Sequence, residues 1–231
     1  MRSLFRSPIA RTTVGLATAG LLIVGLAACS ASASENTSTP KATSTAMADP
    51  KPLASIPKLD GKATEVTLDA GFLNALTTLK LTPATIGSAT LTGAVLAFPI
   101  TGGNVNYFDP MKSYRPYVQG SISHDGSGLS LTGGPTTVSL TNFRIDPGTS
   151  KLFGTVSANG TKVADDVYIF NLDGSTLKPL AKDADGNAVL EGTRVLMSPD
   201  AAALLNKTFG TTAVTDTLLV GIAKITAKAA M

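Results

Sequence analysis

Thr137-Val138-Ser139-Leu140-Thr141-Asn142-Phe143-Arg144-Ile145 is the stretch on which the fold turns. Val138 and Leu140, then Phe143 and Ile145, alternate with polar neighbours. This is the period-two pattern of a strand with one buried face. A helix would repeat its apolar residues every 3.6 positions instead. The alternation slips by one between Leu140 and Phe143, which predicts a bulge or a strand end near Thr141-Asn142.

The texture continues on both sides. Ala94 to Ile100, Tyr117 to Ser123, Gly128 to Leu131, Lys151 to Val156 and Val167 to Leu172 are short runs rich in Val, Ile, Thr and Leu. Gly, Pro, Asn and Asp separate them, as expected of strands and turns. Asn159-Gly160 carries a two-residue hairpin signal. Two segments break the pattern: Val66 to Leu76, and Val195 to Asn206. Each reads as a short strand, a capping residue (Asp69 or Ser198) and a helical turn or two. Pro199 suits a first helical position. A strand-like tail follows each, Ser88 to Leu91 and Leu219 to Ile225, giving two strand–helix–strand units expected to be neighbours in space. The fold class expected from these patterns is mainly β, a β-sandwich with two short helices.

The chain divides into three parts: a signal over 1–28, a tether over 29–57 and one folded body over 58–231. Arg2, Arg6 and Arg11 precede an apolar run from Val14 to Ala28. Basic start, short apolar core and small residues before a cleavage point describe a secretory signal. A run of about 15 residues falls short of the roughly 20 that a spanning helix needs. Leu26-Ala27-Ala28-Cys29 resembles the lipobox of bacterial lipoproteins. That resemblance implies an acylated Cys29, attachment to the membrane, and a place at the extracytoplasmic face of the cell envelope. Ser, Thr, Ala and Pro dominate the tether and aromatics are absent, so it is expected to stay disordered. Cys29 is the only cysteine, which leaves the body without a disulfide. Without the three signal arginines, 16 basic residues face 16 acidic ones. A neutral body offers no electrostatic footprint for nucleic acid.

Gly120 to Gly126, Leu129-Ser130-Leu131, Val138 to Ile145 and Leu152 to Val156 together resemble the middle of HtaA-type domains, secreted or surface β domains of actinobacteria. Gly192 to Leu204 resembles their closing segment, in which a strand leads into a helix of small residues. The resemblance covers about Phe98 to Ile225. It implies a related fold. It also brings in haem, which some members bind through a tyrosine near the start of the domain. His124 matches the family's histidine, but the first helix, Ala70-Gly71-Phe72-Leu73-Asn74-Ala75-Leu76, has no tyrosine.

His124 is the only histidine. Asp125-Gly126-Ser127-Gly128 after it reads as a turn, which gives His124 a surface or capping role; the alternative is contact with haem. Tyr107, Tyr114 and Tyr117 crowd into one loop with two prolines. They either cover an open end of the fold or line a pocket shared with His124. The haem candidates are therefore His124, Tyr107 and Tyr114. Tyr117 begins the strand that His124 ends, too far away to share an iron with it; Tyr168 lies elsewhere. Asp183-Ala184-Asp185-Gly186-Asn187 reads as a hairpin turn, because a calcium loop would need Gly and Glu where Ala188 and Arg194 stand. No Gly-x-Ser-x-Gly elbow is present. The leading expectation is a non-catalytic binding or envelope-associated protein with no cofactor and a protein or small-molecule ligand. Haem binding is the first alternative and an envelope hydrolase the second.

Overall fold

The computed structural model describes residues 50–229. The signal, Cys29 and most of the tether lie outside them. Thirteen strands and two helices make up the described body. In chain order the first strands are β1 (Ala54–Ile56) and β2 (Leu59–Leu68). Helix α1 (Ala70–Thr78) leads to β3 (Thr82–Gly87), β4 (Thr90–Thr92), β5 (Val95–Pro99) and β6 (Gly102–Tyr107). The long central strands are β7 (Val118–Gly133), β8 (Thr136–Asp146), β9 (Lys151–Ala158) and β10 (Thr161–Asp173). The chain closes with β11 (Ala181–Lys182), β12 (Ala188–Met197), α2 (Pro199–Phe209) and β13 (Leu219–Ala229).

All of these strands pair antiparallel in one sheet, in the order β1-β6-β7-β8-β9-β10-β12-β13-β2-β5-β4. β11 adds to β12, and β3 adds to β7 beyond the end of β6. A sandwich has two sheets, whereas here a single ladder runs unbroken from β1 to β4. β5 and β6 stand near opposite ends of that order, yet only Ile100 and Thr101 join them. The sheet must therefore curl round to bring them together. The result is a half-barrel in place of the expected sandwich. The mainly-β class and the two helices are as expected.

The local signals account for the elements. Asn159 (φ 49°) and Gly160 (φ 79°) turn β9 into β10 in left-handed conformations, the geometry of a two-residue hairpin turn. The slip in β8 is a bulge: Asn142 takes φ 52°, and the register to both neighbours shifts beside it. Asp69 Oδ1 accepts from Gly71 N at 2.7 Å and caps α1. Ser198 Oγ accepts from Ala201 N at 3.0 Å, and Pro199 follows in the first turn of α2. The two strand–helix–strand units are neighbours, because β13 lies between β12 and β2. The strand after α1 is Thr82–Gly87, with the short β4 beyond it, so the expected tail at Ser88 to Leu91 covers the join between them and the first two residues of β4. One boundary moves as well. Ala54–Ile56, assigned to the tether by composition, pairs with Val105–Tyr107, and Leu53 N donates to Tyr107 O at 2.8 Å.

The two ends of the curled sheet differ. β2 and β12 both run toward the end where α1 and α2 begin. There Phe72 and Leu76 of α1 and Ala201, Ala202 and Leu205 of α2 are buried in the same core as Leu131 and Leu140. The opposite end gathers the start of β7, the β8–β9 turn, the segment after β10, and the two ends of the described chain.

Candidate functional site

The inner face of the sheet encloses a cavity of ≈ 1010 Å³. That is at the upper end of the range for small-molecule sites, roughly 300–1,000 Å³. Its walls are apolar: Val66 and Leu68 of β2, Leu96 and Phe98 of β5, Ile122 and Leu129 of β7, Phe143 and Ile145 of β8. Phe98 meets Phe143 edge-on at 5.2 Å between ring centres, and Phe143 meets Phe170 at 6.4 Å. The edge-on contact places the positive rim of one ring on the negative face of the other.

His124 sits on this inner wall, 1% exposed. The turn-like composition of Asp125 to Gly128 predicts a surface or capping role for it. Instead β7 runs on through Asp125-Gly126-Ser127-Gly128 as a bulge, and the register to β8 shifts between His124 and Gly128. Local bonds hold the extra residues. Gly126 N donates to Asn142 Oδ1, Ser127 Oγ donates to the His124 carbonyl, and Asp125 N donates to Thr101 Oγ1. Gly126 takes φ +73°, and its carbonyl faces Gly87 so closely that a Cβ there would lie 1.9 Å from it. The bulge also changes phase. Ile122 and His124 are buried before it, Leu129 and Leu131 after it. It sits where the partner of β7 changes from β6 to β3.

The imidazole is fully partnered. Nδ1 lies 3.3 Å from the Phe143 carbonyl, and Nε2 lies 2.8 Å from Thr64 Oγ1. A carbonyl only accepts, so Nδ1–H donates and Nε2 accepts from the Thr64 hydroxyl. Burial pushes the imidazole pKa down to about 4, outweighing the Phe143 carbonyl and the Asp125 charge, which both pull it up. His124 is thus neutral at ordinary pH. Nothing in the local sequence marks Thr64 as a site residue beyond its phase: it falls on the same face of β2 as Val66 and Leu68, and is 4% exposed.

The tyrosines separate. Tyr107 and Tyr117 both line the cavity and meet edge-on at 6.0 Å. Tyr114 packs against Phe108 at 4.8 Å and is not among the lining residues. Tyr107 pairs with Val118, six residues before His124. At about 3.3 Å per residue this is about 20 Å along the strand. His124 and Tyr107 therefore share a cavity but not a point in it, and the same holds for Tyr117. Tyr168 is on the outer wall with Phe153, beneath the Lys151 ammonium.

The mouth carries the charge. Arg115, Lys182 and Lys228 line it together with Asp185. Asp185 is engaged by Lys62 at 3.2 Å. Arg115 donates to the carbonyls of Pro110, Lys112 and Tyr114 and lies over the Tyr117 ring at 5.5 Å. Asp183 closes the turn between β11 and β12, accepting from the backbone of Asp185 and Asn187 and from the Asn187 amide. The Asn187 amide holds the Asp183 carboxyl below the usual range.

No protein-family model matches the sequence, and a search of curated proteins finds no match. Solved structures do match. The C-terminal domain of HtaA from Corynebacterium glutamicum superposes with a TM-score of 0.51 at 14% identity, over 74% of this chain and 97% of that one. The N-terminal domain of the same protein gives 0.49 at 12% identity, over 75% and 99%. The body thus has the fold of an HtaA domain, as the resemblance of Gly120 to Val156 and Gly192 to Leu204 implied.

Proposed function

We propose that this chain is a lipid-anchored, extracytoplasmic, non-catalytic binding protein whose curled sheet takes a large apolar molecule into its interior. The cavity is the observation that carries this reading: ≈ 1010 Å³, walled by aliphatic and phenylalanine side chains. Its deep polar pair, Thr64 and His124, is self-satisfied and presents no reactive group. A general base works best with a pKa near the operating pH, and His124, at about 4, is far from it. The anchor rests on Leu26 to Cys29 and the basic, apolar leader before them.

The test is a titration with Nile red, a neutral fluorophore that brightens in apolar surroundings. A chain beginning at residue 50 is expected to bind it saturably with blue-shifted emission; a linear, unsaturable response would sink the reading. The anchor is tested separately. Cys29→Ala is expected to remove acyl label and shift the protein out of the membrane fraction.

A second reading, haem binding, is favoured by one detail. Metal-binding imidazoles commonly donate their other N–H to a carbonyl or carboxylate, and His124 Nδ1 does so to Phe143. The walls are apolar, as the faces of a porphyrin require. The iron ligands reduce to His124 alone, whose Nε2 is held by Thr64, with no phenol beside it. A hemin titration decides. A saturable Soret shift weakened by His124→Ala supports this reading, and no shift removes it.

A further inference from the structure

We infer that the cavity holds the acyl chains of an anionic membrane lipid, with the head group at the mouth; this rests on the binding function proposed above and names its ligand class. The interior sets the first requirement. Thr64 and His124 satisfy one another and the Phe143 carbonyl. No buried side-chain polar atom among the described residues lacks a partner. A ligand with a polar group at depth would find little to pair with beyond the Thr193 hydroxyl of β12, and burying such a group unpaired is costly. Hydrocarbon makes no such demand.

The mouth sets the second requirement. Three cations line it, and the one acid there, Asp185, is taken up by Lys62. Among the described residues, neither Lys182 nor Lys228 has a carboxylate within ion-pair distance. The body as a whole is neutral, so this concentration of positive charge is local. An apolar interior below a cationic rim complements an amphiphile with a long tail and a negative head.

The third point is placement. Ala54–Ile56, where the tether enters the sheet, lines the same cavity as Lys228. The chain that leads back to Cys29 therefore meets the body at the mouth. A lipid leaving the anchoring membrane would enter where the tether attaches, without crossing the helix-covered end.

The experiment uses the full, anchored chain reconstituted in vesicles. One set contains phosphatidylglycerol with a photoactivatable diazirine in its acyl chain, and the other contains phosphatidylcholine with the same chain. After illumination, the crosslinked peptides are mapped. The expected result is crosslinks on peptides bearing Ile122, Phe143 or Ala223, more from phosphatidylglycerol than from phosphatidylcholine. A basic residue near a membrane surface changes attraction to anionic lipid by about fivefold. Lys182→Gln and Lys228→Gln are thus each expected to reduce the phosphatidylglycerol yield by about that factor, leaving the thermal melt unchanged. Crosslinks confined to residues before Ala54, or equal yields from the two lipids, overturn the inference. Saturable Nile red binding without acyl crosslinks would remove this inference and leave the binding function standing. Loss of both would remove the binding function too.

Discussion

At the helix end of the sheet, Phe72 and Leu205 are 4% and 2% exposed and belong to the contiguous core. At the mouth, Leu177 and Tyr117 are half-buried, and the side chains around them border empty volume. Both ends use the same strands and the same classes of residue. At the helix end, two capped helices fill the space between the walls. At the mouth, loops fringe it and leave it open. An apolar residue therefore means packing at one end and lining at the other, and stability and binding are expected to separate along the strands.

Truncation at the helix end breaks the comparison most sharply. Phe72→Ala removes a buried ring that nothing can replace, and such changes cost about 3–5 kcal/mol. Urea denaturation checks this, and a loss below about 1 kcal/mol would mean that α1 is not part of the cooperative core. Acid gives the next largest effect, from His124 at mid-length. An imidazole ordinarily titrates near 6.5, and this one, in the fold, at about 4. Between those values the unfolded chain holds a proton that the folded chain refuses. Stability is therefore lost as pH falls from about 6.5 to about 4, and the loss levels off below. At about 1.4 kcal/mol per pKa unit the total is about 3 kcal/mol. His124→Gln is expected to flatten that part of the pH profile, and an unchanged slope would assign it to carboxylates. The smallest effect belongs to the mouth. Leu177→Ala enlarges an opening that is already there, so a cost below about 1 kcal/mol is expected, with altered Nile red affinity in the same protein.

What was legible in the sequence was local. Asn159-Gly160 favours left-handed backbone, and the apolar phase slips between Leu140 and Phe143, so the hairpin and the β8 bulge could be placed. Asp69, Ser198 and Pro199 mark helix starts by their own hydrogen-bonding chemistry. What was hidden was non-local. The pairing of β13 with β2 joins residues more than 150 positions apart, and no run of side chains states whether distant strands form one sheet or two. Pro83 hid β3, since a proline weakens a strand pattern. Asp125-Gly126-Ser127-Gly128 has a turn's composition, and only the continuation of β7 beyond it makes it a bulge. The cavity was hidden for another reason. Phe98, Phe143 and Phe170 have the spacing of core residues whether or not a gap lies between them. The site was half legible: His124 was singled out, but its partner Thr64 stood inconspicuously in phase with two aliphatic neighbours.

The pairing of Leu59 with Ala229 has a mechanical consequence. Past the short edge strand β1, the first long strand, β2, lies beside the last, β13, and the two run antiparallel. A load applied between the two ends would part β2 from β13 one hydrogen bond at a time, as a zipper opens, instead of shearing many bonds together. Resistance to such pulling would be low, even for a body of high thermal stability. A load borne through the tether alone, with the far end slack, would strip only the three paired residues of β1 from the edge before it reached the rest of the fold.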